Sequence, residues 1–504
     1  MRLPNRFSLP GSVARGLLLA CMAAVPPMAA AAEAAAERKP NVIVVFTDDQ
    51  GWADLGAHGV RDDVKTPHLD ALAAGGALMR AGYITAPQCS PSRAGLITGR
   101  YQEKLGFDNI SKGPLLLEEV TLAERLRDAG YATGMIGKWH LEPNAATTEW
   151  SRANVPADQL KPVPNNKHFL QVPPAVQMEF FPEHQGFTDI FKGELDTYWV
   201  NYGLDGEPIA DFAWQTHGGY RIDTQTAAAE AFIERHPDDP FFLYLNYYAP
   251  HVPMEATPAY LERFPGEMAE RRRYGLAMMA AVDDGVGRIV ETLDRHGLRE
   301  DTLIFYISDN GAPLLGKEDL PISFRGGAWD GSLNDPWAGE KGMLTEGGIR
   351  VPYIVSWPGR VRPGQVIDEP VIALDVAPTA LAAAGEPPVE LLDGIDLLPH
   401  LAGDAAWPER PLYWRFWGQA AVRDRDHKFL RLSDGRRYLF DMNADDPESA
   451  SVHAEHPEVL ERLEAQLSSW TRGLQPAGLP GGALNVQERE WFGERHLVGV
   501  EPLR

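Results

Sequence analysis

The sequence predicts an α/β protein: a mostly parallel central sheet covered by helices on both faces, followed by a smaller subdomain of antiparallel sheet and helix. Three observations lead there. Four short runs of β-branched and aromatic residues each end abruptly in polar residues, helical patterns lie between them, and the C-terminal part changes to closely spaced short strands.

The first run, Asn41 to Phe46, stops at Thr47-Asp48-Asp49-Gln50, and the second, Tyr131 to Gly137, stops at Lys138-Trp139-His140. The third, Phe241 to Tyr248, stops at Ala249-Pro250-His251, and the fourth, Thr302 to Ser308, at Asp309-Asn310-Gly311. Continuous apolar runs of this length suit strands buried on both faces. Between them, Thr121 and Glu124 form a capping box that opens a helix closing at Gly130. From Arg272 to His296, Leu276, Met279, Val282, Val286, Ile289 and Leu293 recur at helical spacing until Gly297 stops the pattern. Strands alternating with helices imply parallel pairing, and open sheets of that kind bind ligands beyond the carboxyl ends of their strands. All four polar clusters fall there, so a single site drawn from distant parts of the sequence is expected.

Four short strands follow between Leu412 and Met442, with Ser433-Asp434-Gly435 as a tight turn. Pro457 to Trp470 then places Leu460, Leu463, Leu467 and Trp470 on one helical face. The boundary is expected between His400 and Arg410, giving a catalytic domain over 38–404 and a C-terminal subdomain and tail over 405–504.

At the other end, Arg2, Arg6 and Arg15 precede an apolar stretch and a small-residue segment, the order of a secretory signal, read as residues 1–32. Pro26 and Pro27 break the apolar core, which argues against stable membrane insertion. Leu18-Leu19-Ala20-Cys21 has the form of a lipoprotein cleavage box, but the apolar stretch before it is short. Ordinary cleavage near Ala32 is preferred, giving a periplasmic or secreted protein. The chain has two cysteines, and Cys21 leaves with the leader, so Cys89 has no partner for an intramolecular disulfide. A net charge of −24, from 71 acidic and 47 basic residues, argues against nucleic acid as a partner. An anionic substrate would need a local cationic pocket.

Asp48, Asp49, Asp309 and Asn310 offer oxygen ligands only. Each pair taken singly is also a turn or cap signal. Two such pairs after two buried strands instead point to a hard divalent ion, calcium or magnesium. Arg93, Lys138, His140, His251 and Lys341 supply the opposite charge and the donors that a metal-bound tetrahedral anion requires.

Cys89-Ser90-Pro91-Ser92-Arg93, followed by an apolar helix and Thr98-Gly99, closely resembles the signature of the formylglycine-dependent sulfatases. The resemblance extends through Thr47-Asp48-Asp49, Gly137-Lys138-Trp139-His140, Pro250-His251, Ser308-Asp309-Asn310-Gly311, Lys341-Gly342 and Asp375-Val376-Ala377-Pro378-Thr379. It implies an alkaline-phosphatase-like α/β sandwich and conversion of Cys89 to formylglycine by a formylglycine-generating enzyme. It also implies one calcium ion, with magnesium as the alternative, on Asp48, Asp49, Asp309, Asn310 and the modified Cys89. Arg93 and Lys138 would stabilise the modified residue, Lys341 and His251 would hold the sulfate, His251 would protonate the departing alcohol, and His140 would take a proton.

The implied substrates are sulfate monoesters, with sulfated glycans favoured over small aryl sulfates. Segments 144–191, 196–220 and 311–337 are candidates for substrate contacts, with His168, His184, Tyr198, Trp199, Tyr202, His217 and Trp329 as their aromatic members. Two rival readings share the fold: a phosphomonoester or phosphonate monoester hydrolase, and a non-catalytic glycan-binding relative.

Overall fold

The computed structural model describes residues 38–164, 166–315, 320–324 and 328–495; the segment read as a leader, with Cys21, lies outside them. Ten strands form the central sheet: β1 (Asn41–Asp48), β2 (Ala77–Met79), β3 (Ala132–Gly137), β4 (Asp189–Lys192), β5 (Thr197–Tyr202), β6 (Pro208–Thr216), β7 (Phe241–Pro250), β8 (Thr302–Ser308), β9 (Tyr353–Ser356) and β10 (Gln365–Ile367). Their spatial order is β10-β2-β9-β8-β1-β7-β3-β4-β5-β6. The central five, β8-β1-β7-β3-β4, are parallel, and β9, β5 and β6 join antiparallel at the flanks.

The four apolar runs are β1, β3, β7 and β8. Every residue of β1, β7 and β8 is buried. Alternation explains why the runs are unbroken. Val42, Val44 and Phe46 of β1 join a core that includes Leu96 and Ile97 of α1 (Cys89–Thr98) and Leu122 and Leu126 of α2 (Leu122–Asp128). Ile43 and Val45 face the other way, onto a core that includes Phe232 of α3 (Arg221–Arg235) and Val282, Val286 and Ile289 of α4 (Glu270–Arg295). A strand with helices on both faces has no solvent side on which to place polar residues. The capping box is formed as expected: Glu124 N donates to Thr121 Oγ1 at 3.1 Å, and Thr121 N donates to a Glu124 carboxylate oxygen at 2.8 Å.

The parallel register brings the strand ends level. Phe46 pairs with Asn246 on one side and Ile307 on the other. Beyond the ladder, Asp309 N donates to Thr47 O, His251 N to Asp48 O, and Lys138 N to Asn246 O, at 3.0 to 3.2 Å. These bonds carry the four polar clusters to one edge.

The C-terminal strands Leu412–Phe416, Gln419–Arg423, His427–Arg431 and Arg437–Asp441 form a separate antiparallel sheet. One face, with Val422, Phe429 and Leu439, packs on Leu460, Leu463 and Leu467 of α5 (Pro457–Thr471). The other, with Trp414, Leu430 and Phe440, joins the core that holds α1. Buried charges also cross between this sheet and the rest: Lys428 Nζ donates to Glu346 and Glu448, both at 2.9 Å.

Burial pushes the Glu448 carboxyl up to about 7, with Lys428 opposing that shift and Glu346 adding to it. The folded state therefore holds a proton that the unfolded chain has released above about pH 4.5. The stabilisation linked to that proton is complete below about pH 4.5 and is lost as the pH rises through about 7. Thermal unfolding followed from pH 5 to pH 8 should show a falling Tm, and Glu448→Gln should flatten that fall. An equal slope in the variant would remove Glu448 as its source.

Candidate active site

Asp48 is the last residue of β1, and Asp49 follows with a left-handed backbone (φ 68°). The turn sends the two carboxylates in different directions. Lys138 Nζ donates to Asp48 Oδ2 at 2.6 Å, while Asp49 Oδ1 accepts from Asn310 Nδ2 at 2.6 Å and from Lys341 Nζ. Asp309, directly after β8, accepts from Asp49 N at 3.1 Å and from Arg93 at 2.7 Å. Each of the three carboxylates thus has its own cation, from three separate parts of the chain.

Cys89 opens α1 and is only 3% exposed. Its Sγ lies within 4.8 Å of carboxylate oxygens of both Asp48 and Asp309. Arg93, one helical turn on, lies on the same face and is fully buried, donating also to Asn246 Oδ1 at 2.9 Å and Lys138 O at 3.2 Å. Lys138 and His140 follow β3, and His140 has a left-handed backbone (φ 59°). His251 follows the last residue of β7. Its Nδ1 bonds Val252 O at 2.6 Å, which fixes the proton there and turns Nε2 towards Asp49 Oδ2, 3.7 Å away. All ten residues singled out in the sequence are accounted for here: Asp48, Asp49, Asp309, Asn310 and Cys89 with Arg93, Lys138, His251 and Lys341 in direct contact, and His140 beside Lys138.

The electrostatics follow from burial and these pairings. Burial alone would raise Asp48, but Lys138, His251, Arg93 and Lys341 hold it well below the usual carboxylate range. Asp309 is pushed up by burial and by Asp48, against Arg93. Desolvation lowers His251 to about 4, with Asp48 and Asp49 opposing, and lowers His140 to about 3, with Lys138 adding to it. Both imidazoles are neutral at pH 7. Lys138 and Lys341 stay charged despite burial, Lys138 because of Asp48 and Lys341 chiefly because of Asp49.

The donor set fits a hard cation. Among the described residues, Asp48 Oδ1 and Asn310 Oδ1 are buried with no hydrogen-bond partner. Oxygen atoms in that state are costly unless something positive satisfies them. Asp48, Asp49 and Asp309 would hold the ion with Asn310 and the residue at position 89.

Three residues escaped the sequence reading. Asn246 anchors Arg93; its only signal was a lone amide inside the apolar run of β7. Tyr248 carries the Lys138 ammonium 4.9 Å from its ring centroid and stacks on His251 at 4.8 Å. Arg221, buried on α3, donates to the carbonyls of His251 and Pro253 and so fixes the loop after β7. Among the aromatic residues expected near substrate, Tyr198, Tyr202 and Trp329 require correction. Tyr198 and Tyr202 occupy the inward parity of β5 and are buried against Phe191, and Trp329 is buried with its Nε1 bonded to Ser332 O. These three pack. Trp199, on the opposite parity, stacks on Phe212 and donates to Glu183.

The family model described as Sulfatase matches residues 40–386, and one described as N-sulphoglucosamine sulphohydrolase, C-terminal, matches residues 337–472. The chain is similar to human arylsulfatase A, 33% identical over 478 residues covering 88% of this chain and 84% of that one. It is similar to the N-acetylgalactosamine-6-sulfatase of Canis lupus familiaris, 30% identical with 75% and 69% covered. Among solved structures, Ps i-CgsB in complex with k-i-k-neocarrahexaose superposes with a TM-score of 0.69 at 28% identity, covering 90% of this chain and 96% of that one.

Clustered carboxylates with orphaned oxygens predict that a divalent ion stabilises the fold. Protein stripped with a chelator should melt lower, and adding calcium should raise its Tm by about 5 °C, the scale of a native-state binding term. Asp309→Ala should abolish the shift. A Tm indifferent to both chelator and calcium would refute a cation in this pocket.

Proposed function

This chain belongs to the sulfatase family and is a sulfuric ester hydrolase; from that premise we propose that it removes sulfate from sulfated carbohydrates, with Cys89 matured to formylglycine and one calcium ion bound beside it. The observation that carries the reading is the approach of Cys89 Sγ to Asp48 and Asp309 within 4.8 Å, at the focus of Arg93, Lys138 and Lys341. A lone buried cysteine among oxygen ligands makes a poor site for a soft metal. The same position suits an oxygen-bearing side chain made from the cysteine.

An aldehyde at position 89, hydrated to a diol, would offer two hydroxyls on one carbon, one to attack sulfur and one whose deprotonation expels sulfate, and a divalent ion bound beside it would supply Lewis-acid polarisation. Asp48, Asp49, Asp309 and Asn310 would hold that ion. Arg93, fixed by Asn246 and the Lys138 carbonyl, keeps its guanidinium on Asp309 and neutralises charge beside position 89. Lys138 and Lys341 direct ammonium groups at the carboxylates and are the donors available to sulfate oxygens. His251 has Nδ1 committed to Val252 O, so Nε2 is the atom that would take up a proton from solvent as the anionic ester binds and pass that proton to the departing alcohol. An anionic sulfate ester near Nε2 counteracts the desolvation that lowers this imidazole. His140 Nδ1 is buried without a hydrogen-bond partner among the described residues, and the neutral ring is able to take a proton from position 89.

Carbohydrate as the substrate class is supported by the names of similar proteins, an N-acetylgalactosamine-6-sulfatase and a structure holding a neocarrahexaose. The leader pattern in residues 1–32 supports export to the periplasm or beyond, with the modifying enzyme acting during maturation. No helix among the described residues is long and apolar enough to cross a membrane.

Release of sulfate from 4-methylumbelliferyl sulfate and from sulfated oligosaccharides, set against matched phosphate esters, tests the reaction class. Peptide mass analysis should show the residue at 89 as an aldehyde in active protein; a wholly unmodified thiol there would overturn the maturation step. His251→Ala should cost at least about a hundredfold on sugar sulfates, the scale of losing a general acid. The loss should be smaller on the aryl ester, whose leaving group needs less protonation. Equal losses on both would leave His251 a binding role only.

A further inference from the structure

Resting on the sulfatase reading, we propose that Trp417 and the cavity beside it form a carbohydrate subsite, which holds a sugar ring of an anionic glycan next to the catalytic pocket. The cavity, of about 260 Å³, is lined by Lys341, Gln88, Phe416, Trp417, Asn485 and Gln487 among others. Lys341 places it against the reaction centre, because the same side chain reaches Asp49. Gln88 precedes Cys89 directly.

The wall opposite is built, and it is strained. Trp417 occupies the two-residue connection between the strands Leu412–Phe416 and Gln419–Arg423, with a left-handed backbone (φ 53°). A bulky side chain there costs conformational energy that glycine would not. The indole is nonetheless 50% exposed, stacked on Phe416 at 5.8 Å and 21°. Gln419 fastens this turn to the loop that carries Lys341: its amide donates to Gly342 O at 3.0 Å and accepts from Leu344 N at 3.0 Å. An exposed indole stacked on a neighbouring ring, in a cavity that a lysine also lines, is a surface for stacking a sugar ring.

The polar lining offers donors, and the acid in it, Glu340, is already engaged by Leu314 N, Leu315 N and Trp491 Nε1. Gln88 Oε1 accepts from Ile110 N, and Asn485 Oδ1 accepts from Glu488 N, and among the described residues both amide nitrogens are left for a ligand. The Gln487 amide lies over Gly342. Amide nitrogens together with the Lys341 ammonium suit hydroxyl and sulfate oxygens. A small aryl ester would fill the catalytic pocket without engaging this surface.

The test uses full-length enzyme and sulfated hexasaccharides from carrageenan, heparin and chondroitin sulfate. Calorimetric binding is measured in a Cys89→Ser background and kcat/KM in the active enzyme, with 4-methylumbelliferyl sulfate alongside. For at least one hexasaccharide, Trp417→Ala and Trp417→Gly should weaken binding at least about tenfold, and their kcat/KM loss should exceed the aryl-ester loss by a similar factor. Trp417→Phe should restore most of it. Trp417→Gly should keep or raise Tm, which separates lost contact from lost folding. Equal losses on both ester classes, no loss on the hexasaccharides, or no hexasaccharide bound would each overturn the subsite. Glycan binding that depends on Trp417 in an enzyme that cleaves no sulfate ester would sink the sulfatase reading and leave the subsite standing.

Discussion

Three carboxylates gathered at the ends of adjacent strands are the constraint on which the rest of this structure depends. Asp48, Asp49 and Asp309 sit where burial removes the solvent that would screen their repulsion. The fold answers with one cation each: Lys138 on Asp48, Lys341 on Asp49 and Arg93 on Asp309. Those cations come from the end of a strand, a loop and a helix, so the balance exists only when the whole edge of the sheet is assembled. The chain's large negative charge therefore says nothing about its site, where the signs are matched group by group.

The supports behind these pairs are as specific as the pairs. Arg93 is aimed by Asn246 and the Lys138 carbonyl, Lys138 rests over Tyr248, and Tyr248 lies between Lys138, His251 and Arg221. Removing one partner of a buried pair costs about 3–5 kcal/mol because the remaining charge is stranded. Here such a loss would also release a side chain that aims another.

Much of this was legible in the sequence because the relevant physics is local. Strands buried on both faces must be apolar throughout, so β1, β7 and β8 announce themselves, and their polar terminators mark the edge where a site forms. The capping box at Thr121 and the apolar stripe on α5 are equally local signals. What could not be read depends on packing across the sheet. Asn246 looked like a blemish in an apolar strand until Arg93 was found against it. Tyr198 and Tyr202 looked like candidates for a pocket because parity along β5 cannot be assigned without knowing which face is covered. Arg221 acts through backbone carbonyls, which leave no trace in residue type, and the short strands β2, β9 and β10 lack enough residues for a pattern.

The small C-terminal sheet brings its own buried cations. Arg415 makes a two-pronged bond to Asp108, and Lys428 is divided between Glu346 and Glu448. Asp108 and Glu346 both belong to the preceding part of the chain. A gene fused from two relatives at the connection before Leu412 would inherit acids from one parent and bases from the other. Recombination at that seam is thus limited to relatives whose charges match on both sides, and the two parts are bound to change in step even though no catalytic atom lies between them.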